Sequence, residues 1–572
     1  MFEKRAGEIM VDLLSEWGVD HIYGLPGDSI NHLVEGLRKE KDQIQFVQVR
    51  HEEVAAFAAS SYAKLTGKLG VCLSIAGPGA IHLLNGLYDA KADRAPVLVL
   101  AGQVPTDQLG TDSFQEIHMQ RMFDDVSVFN EQVASEEQMP ALLNQAIRTA
   151  YAEKGVAVLT IPDDVLDRKI KQQVQENATA YFQPRTFPQE KDLYEALVLL
   201  KEAEKPVILA GKGAKGTQKE LIDFAEKIAA PVIVTLPGKG VIPDEHPHCL
   251  GNLGMIGTKP AYEAMQHTDL LILLGTSFPY TEFLPEGVKA IQIDLDSSEI
   301  GKRYPVNAGL TADTGEMLQW LNEKIDSKEN REFLEECQEK MKDWWSELEK
   351  YEQDENSPMT AQQVIPELQK VVDDDAVLSV DVGNVTVWMA RYFRMTHQDF
   401  IISSSLGSMG SGLPGALAAK IAYPDRQVVS VSGDGGFTMV MHDFLTAVKY
   451  QLPALFVVLN NEKIGMIKYE QQEIGSVEYR TDLESFNFAR FAETCGGQGY
   501  RVEQFEDLLP ALKAAVEHNQ PVIVDVCIED QPPLPGKISY DQIVHYSKHT
   551  IKKLFEKGEF EMPPVKKALK RL

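Results

Sequence analysis

Short apolar, β-branched runs recur along the chain, and each closes on glycine, threonine, serine, asparagine or aspartate. Between them lie segments with a helical rhythm. Runs at 21–24, 44–49, 70–75, 96–103 and 155–162 read as buried strands, as do 205–210, 231–236, 270–275 and 290–296. A third series follows at 378–382, 401–405, 427–431 and 454–459. The intervening helices include an opening one ending at Trp17, an alanine-rich one at 54–60, one at 81–88 and a small-residue one at 413–422. Continuous apolar strands alternating with helices predict α/β architecture with parallel sheets covered on both faces. The chain divides into three doubly wound domains at 1–170, 188–335 and 358–535, with a tail at 536–572. The polar stretch 171–188 reads as a linker. Within the charged, helical stretch 319–357, Trp344-Trp345 reads as packing beneath a surface helix.

Bulk properties narrow the picture. A chain of 572 residues exceeds one hydrophobic core. A net charge of −29 argues against wholesale nucleic-acid binding. The five cysteines are scattered with no CxxC pair, which suits reduced core thiols and a cytoplasmic setting. No signal-peptide pattern opens the chain, and no apolar run approaches the ~20 residues of a membrane span.

The candidate chemistry gathers where strands end. Val431-Ser432-Gly433-Asp434-Gly435-Gly436 follows one strand, and Asn460-Asn461 closes another with Asn461 27 positions beyond Asp434. At the carboxyl edge of a parallel sheet, a carboxylate and an amide offer hard oxygen ligands, and glycines let backbone approach an anion. The pattern suits Mg²⁺ or Ca²⁺ bridging protein to a diphosphate; the alternative is a plain strand-end turn. Glu52, in Arg50-His51-Glu52-Glu53, sits at a strand-to-helix junction, where an N-terminal helix acid is the alternative to a functional one.

The GDG and NN pairing, with Glu52 and the turn Ala76-Gly77-Pro78-Gly79, resembles the thiamine-diphosphate enzymes, and the likeness runs through the whole chain. It implies that 1–170 binds the aminopyrimidine, 188–335 is a middle FAD-binding domain and 358–535 binds the diphosphate. It implies metal ligation by Asp434, Asn461 and the carbonyl of Lys463, with Gly435, Gly436, Ile464, Gly465, Gly407 and Ser408 around the cofactor. Met409 would be the wedge that bends it. Glu52 would hold the far ring nitrogen so that the 4′-imino group can take the C2 proton. Phe114, Gln115, Met466 and Glu470 would face substrate.

The resemblance is nearest to the flavin-containing pyruvate oxidase branch, of the quinone-linked, acetate-forming type. It points to FAD held by Gly251-Asn252-Leu253-Gly254, by Gly275-Thr276-Ser277-Phe278-Pro279, by Asp294 and by Asp313. Met255 departs from a basic residue found near this position in some phosphate-dependent members and cannot pair with phosphate. From Lys548 to Leu572 the chain carries seven Lys and one Arg against three Glu, and Val565, Ala568, Leu569 and Leu572 fall on one helical face. That segment is either a basic membrane-surface helix or a frayed terminal helix docked on its own protein. The resemblance thus implies oxidation of pyruvate to acetate and CO₂, with electrons passing to quinone at the inner face of the membrane, in a homo-oligomer built as a dimer of dimers. An oxygen- and phosphate-dependent oxidase and an acetolactate synthase are the alternatives.

Overall fold

The computed structural model describes residues 4–170, 181–182, 185–353 and 359–532. Part of the 171–188 linker and the whole basic tail lie outside the described residues. The apolar runs form three six-stranded sheets in which every pairing is parallel. The first holds β1 (His21–Gly24), β2 (Gln45–Gln48), β3 (Gly70–Ser74), β4 (Val97–Gln103), β5 (Ser127–Gln132) and β6 (Val156–Pro162), in the order β2-β1-β3-β4-β6-β5. The second holds β7 (Pro206–Ala210), β8 (Val232–Val234), β9 (Cys249–Asn252), β10 (Leu270–Leu274), β11 (Lys289–Asp294) and β12 (Ala308–Thr311), ordered β12-β11-β10-β7-β8-β9. The third holds β13 (Val377–Val380), β14 (Asp399–Ile401), β15 (Val428–Gly433), β16 (Leu455–Asn460), β17 (Gln498–Val502) and β18 (Val522–Cys527), ordered β14-β13-β15-β16-β18-β17. In each sheet the order reverses about an inner strand, the doubly wound arrangement that opens a crevice at the carboxyl edge.

Several strands were not anticipated, and they are mostly edge strands. β5 mixes partly buried and exposed residues and β17 is mostly half-buried, so they lack the continuous apolar signal of a central strand. β9 takes in Gly251 and Asn252, which therefore end a strand rather than lie in a loop. The helix expected at 81–88 begins earlier, as Pro78–His82, because a proline is favourable in a first helical turn.

The third domain is the hub. The helix Glu52–Thr66 packs its alanine face on the helix Gly412–Ala422, so Val54, Ala55 and Ala58 share one buried core with Leu413, Ala416 and Phe437. Small residues on both helices allow that close approach. A second core joins Leu253 and Phe278 of the middle domain to Trp388 and Val431 of the third. Trp344 and Trp345 do lie on a helix, Glu332–Glu352, where Arg391 stacks over the first at 5.9 Å and Arg394 over the second at 4.8 Å. All five cysteines are free, and three are fully buried. No helix among the described residues is long and apolar enough to cross a membrane.

Candidate functional site

Pairing of Gly433 with Leu459 sets β15 and β16 level, so the chain leaves both strands at one place on the carboxyl edge. Asp434 opens the helix Asp434–Val440 and is 4% exposed. Its carboxylate accepts backbone N–H groups of Gly435 and of Glu462, which ties it to the asparagine turn. Burial outweighs those donors and pushes its pKa up to about 6. The two asparagines divide their work. Asn460 donates to Asp525 Oδ1 at 2.9 Å and to Phe486 O, holding the turn. Asn461 accepts from Lys463 N at 3.2 Å, and its amide donates to Asp530. Glu462 between them has φ +55°, a left-handed residue that bends the chain back on Asp434.

Around this pair two glycines are needed for space, Gly436 and Gly465, while Gly435 has room for a methyl. A Cβ on Gly435 would lie 3.4 Å from Met409 Cε and from Leu483, with Ile464 at 4.0 Å. A Cβ on Gly436 would come within 2.6 Å of Asp381 Oδ2, and one on Gly465 within 2.6 Å of Asn384 Nδ2. Asn384 Oδ1 is buried with no hydrogen-bond partner among the described residues. A buried carboxylate without a cation, an amide oxygen beside it, an orphaned amide and a glycine-lined cradle together fit a divalent cation with a diphosphate.

Glu52 is the first residue of its helix and is 5% exposed. His51, before it, caps the helix by accepting from Glu53 N. Glu52 Oε2 meets His82 Nδ1 at 2.9 Å, and Oε1 would be 2.9 Å from a Cβ on Gly79. His82 stacks on His51 at 4.3 Å, and burial together with that neighbouring imidazole holds His51 below its ordinary pKa. The Gly77 turn has φ +65°, and a Cβ there would meet Gln115 O at 2.8 Å. Glu52, the Gly77–Gly79 turn and Gln115 therefore form one neighbourhood. Phe114 beside them is 85% exposed. Contacts reach the third domain: Arg50 N donates to Asp443 Oδ1 at 2.8 Å, and Asn85 bridges Glu53 and Ser408 Oγ.

A cavity of about 1150 Å³ runs between the middle and third domains, with Asp93, Arg94 and Lys154 of the first domain closing part of its wall. Leu253, Gly254, Gly275 to Pro279 and Asp294 line it from one side, and Gly407, Met466 and Glu470 from the other. Gly275 and Gly213 press together, since a Cβ on Gly275 would lie 2.4 Å from Gly213 Cα. Asp294 accepts from Asp296 N at 3.0 Å, and burial raises its pKa. Three expected flavin residues do not line the cavity: Gly251 and Asn252 end β9, and Asp313 caps the helix Thr314–Lys324 by accepting from Glu316 N at 3.1 Å. Both amide atoms of Asn252 are nonetheless buried without a partner among the described residues. Glu52, Phe114, Gln115, Met409, Asp434 and Asn461 also lie off this cavity.

Residues 4–124 match the family model described as the thiamine pyrophosphate enzyme N-terminal TPP binding domain. Residues 193–321 match its central domain, and 381–526 its C-terminal TPP binding domain. A thiamine pyrophosphate-containing protein of Bacillus subtilis (strain 168), YdaP, is 57% identical over 573 residues, covering 100% of both chains. The chain belongs to the thiamine pyrophosphate enzyme family. Pyruvate oxidase of Lactiplantibacillus plantarum is 36% identical over 543 residues, 93% of this chain and 90% of the relative. Acetolactate synthase of Mycobacterium bovis is 32% identical over 547 residues, 91% and 87% respectively.

In this thiamine pyrophosphate enzyme, three residues near the site escaped sequence reasoning. His82 follows the glycine-proline turn by one helical turn, and only the fold brings it to Glu52. Asp381 opens the Asp381-Val382-Gly383-Asn384 turn and is fully buried beneath Gly436, which pushes its pKa to about 6. Arg391 is 3% exposed and donates to the carbonyls of Met255, Ile256 and Gly257, pinning a wall of the cavity to the third domain. An arginine inside the apolar run Val385–Met389 and Tyr392 was the available signal.

Proposed function

We propose that this thiamine pyrophosphate enzyme oxidises pyruvate with water to acetate and CO₂, carries FAD, and passes two electrons and two protons to a membrane quinone. The observation that carries the reading is the cavity: its lining runs from the glycine turns and Asp294 of the middle domain to Met466 and Glu470 of the third. A dinucleotide there would end beside the thiamine-binding segment. When bound, thiamine diphosphate supplies a carbon nucleophile and an electron sink for decarboxylation, and FAD supplies a two-electron acceptor.

The protein's own groups would divide the work as follows. Asp434, Asn461 and the carbonyl of Lys463 hold the cation, with Gly435 and Gly436 giving the diphosphate room. Met409, against Gly435, supports the bend of the cofactor. Glu52 holds a proton at the ring nitrogen, and His82 fixes its Oε2. Phe114, Gln115, Met466 and Glu470 bound the substrate space and exclude water. Ile81, Phe114, Leu406 and Met439 are apolar and exposed on the first and third domains, which suits coverage by a second copy and a dimer of dimers.

Anaerobic pyruvate with ThDP and Mg²⁺ should bleach the visible flavin band, and quinone should restore it. No bleaching would end the oxidase reading, and acetolactate as the product would favour the synthase. Oxidation by O₂ with formation of acetyl phosphate would select the phosphate-dependent alternative. For the tail, removing 565–572 should abolish stimulation by anionic lipid vesicles; undiminished stimulation would exclude a membrane role.

A further inference from the structure

The cavity has few cations to meet a dinucleotide's diphosphate. Among the described lining residues the bases are Arg94, Lys154 and Lys212. Arg94 is committed to Asp296 and lies 3.7 Å from Glu299. Lys154 sits exposed at the end of the helix Met139–Glu153. Met255 puts a thioether, 62% exposed, on the facing loop.

Lys212 differs from all of these. It stands in the glycine turn directly after β7, where an open α/β sheet presents its ligand crevice. Three main-chain donors of that turn are already used: Gly211 N donates to Leu274 O at 2.9 Å, Gly213 N to Gly275 O at 3.1 Å, and Ala214 N to Gly211 O at 3.1 Å. The turn therefore offers no nest of successive free backbone N–H groups to grip phosphate. The ammonium of Lys212 donates to the neutral carbonyl of Asp93 across the domain boundary. The Asp93 carboxylate itself is taken by Lys64, Ser404 and Ser405.

We infer that Lys212 is the phosphate-anchoring residue of this cavity, its ammonium pairing with the diphosphate of a dinucleotide whose sugar end faces Asp294. The inference rests on the dinucleotide part of the functional reading. The charged groups around Lys212 are Asp93, Lys64, Arg94 and Lys154; the side chain is exposed to the cavity, but the protein packed around it, with the three cations, holds it down to about 8, and Asp93 opposes the shift. An arriving diphosphate favours the ammonium form, so binding takes up a proton near that pH. Affinity falls as pH rises above about 8, where free Lys212 loses its charge.

The test uses the full-length chain stripped of nucleotide, with FAD and ADP as probes and riboflavin as the probe lacking a diphosphate. Lys212→Met should weaken FAD and ADP by about tenfold or more, as expected for one charged hydrogen bond, and leave riboflavin unchanged. It should also erase the loss of affinity between pH 7 and 9, which Lys212→Arg should shift to higher pH. Lys212→Gln keeps a donor for the Asp93 carbonyl without the charge. It should show the same loss with an unchanged melting temperature, which separates anchoring from domain packing. Native-like FAD and ADP affinity in both uncharged variants would overturn the role of Lys212 and leave the flavin reading intact. Native protein that binds ADP but not FAD, with the same sensitivity to Lys212, would do the reverse, and binding of neither probe would overturn both.

Discussion

Glu52 and Asp434 begin alike and end differently. Each follows a parallel strand, opens a helix and is about 95% buried. Their neighbours separate them. Glu52 meets an imidazole, a side chain that can share a proton. Asp434 meets backbone N–H groups and, among the described residues, no cationic side chain, so burial raises its pKa. The first arrangement suits holding a proton, the second holding a metal. A carboxylate's local sequence context thus does not set its chemistry; the groups brought to it from elsewhere in the chain do.

The largest test of this contrast is Glu52→Gln. It should lower kcat by about 100-fold or more, as for loss of a general acid–base group, while ThDP still binds by calorimetry. Retained turnover would show that the proton is held elsewhere. Asp434→Ala should instead weaken Mg²⁺-dependent ThDP binding by about 100-fold or more. The native site has a pH signature too. Burial raises the Asp434 carboxyl above its ordinary 3.8, so its contribution to the metal-free fold is full at low pH and is lost as pH rises through about 6. Metal reverses the preference by binding only the ionised form. Mg²⁺ affinity should therefore fall about tenfold per pH unit below 6 and level off above it, and a flat profile would refute the assignment.

A smaller effect is expected from Gly436→Ala. The new methyl would meet the buried Asp381 carboxylate at 2.6 Å and should cost about 1–3 kcal/mol in chemical denaturation. The smallest concerns Phe114→Ala. Because Phe114 is 85% exposed, stability should move by less than about 0.5 kcal/mol, and the change should fall on KM for pyruvate or on dimer affinity. A large loss of monomer stability would mean that Phe114 packs within its own chain.

Much of this was legible in the order of residues. Buried central strands advertise themselves as continuous apolar runs, so the three α/β domains and the positions of Asp434 and Asn461 at strand ends could be read directly. Edge strands such as β5 and β17 carry half that signal and were missed. Gly251 and Asn252 finish β9, a short edge strand that no continuous apolar run announces. Lys212 and His82 carry no local mark, and Arg391 is marked only as an arginine inside an apolar run.

The sequence by itself determined which segments become strands and helices, and so which residues stand at the carboxyl edges, because apolar periodicity and backbone preference act over a few neighbours. Tertiary structure alone decided that Glu52 faces His82, that Asn460 is tied to Asp525 while Asn461 turns to Lys463 N and Asp530, and that Lys212 faces a cavity walled by three domains. Those outcomes depend on burial and on groups contributed by residues 30 to 119 positions apart, and no local pattern encodes them.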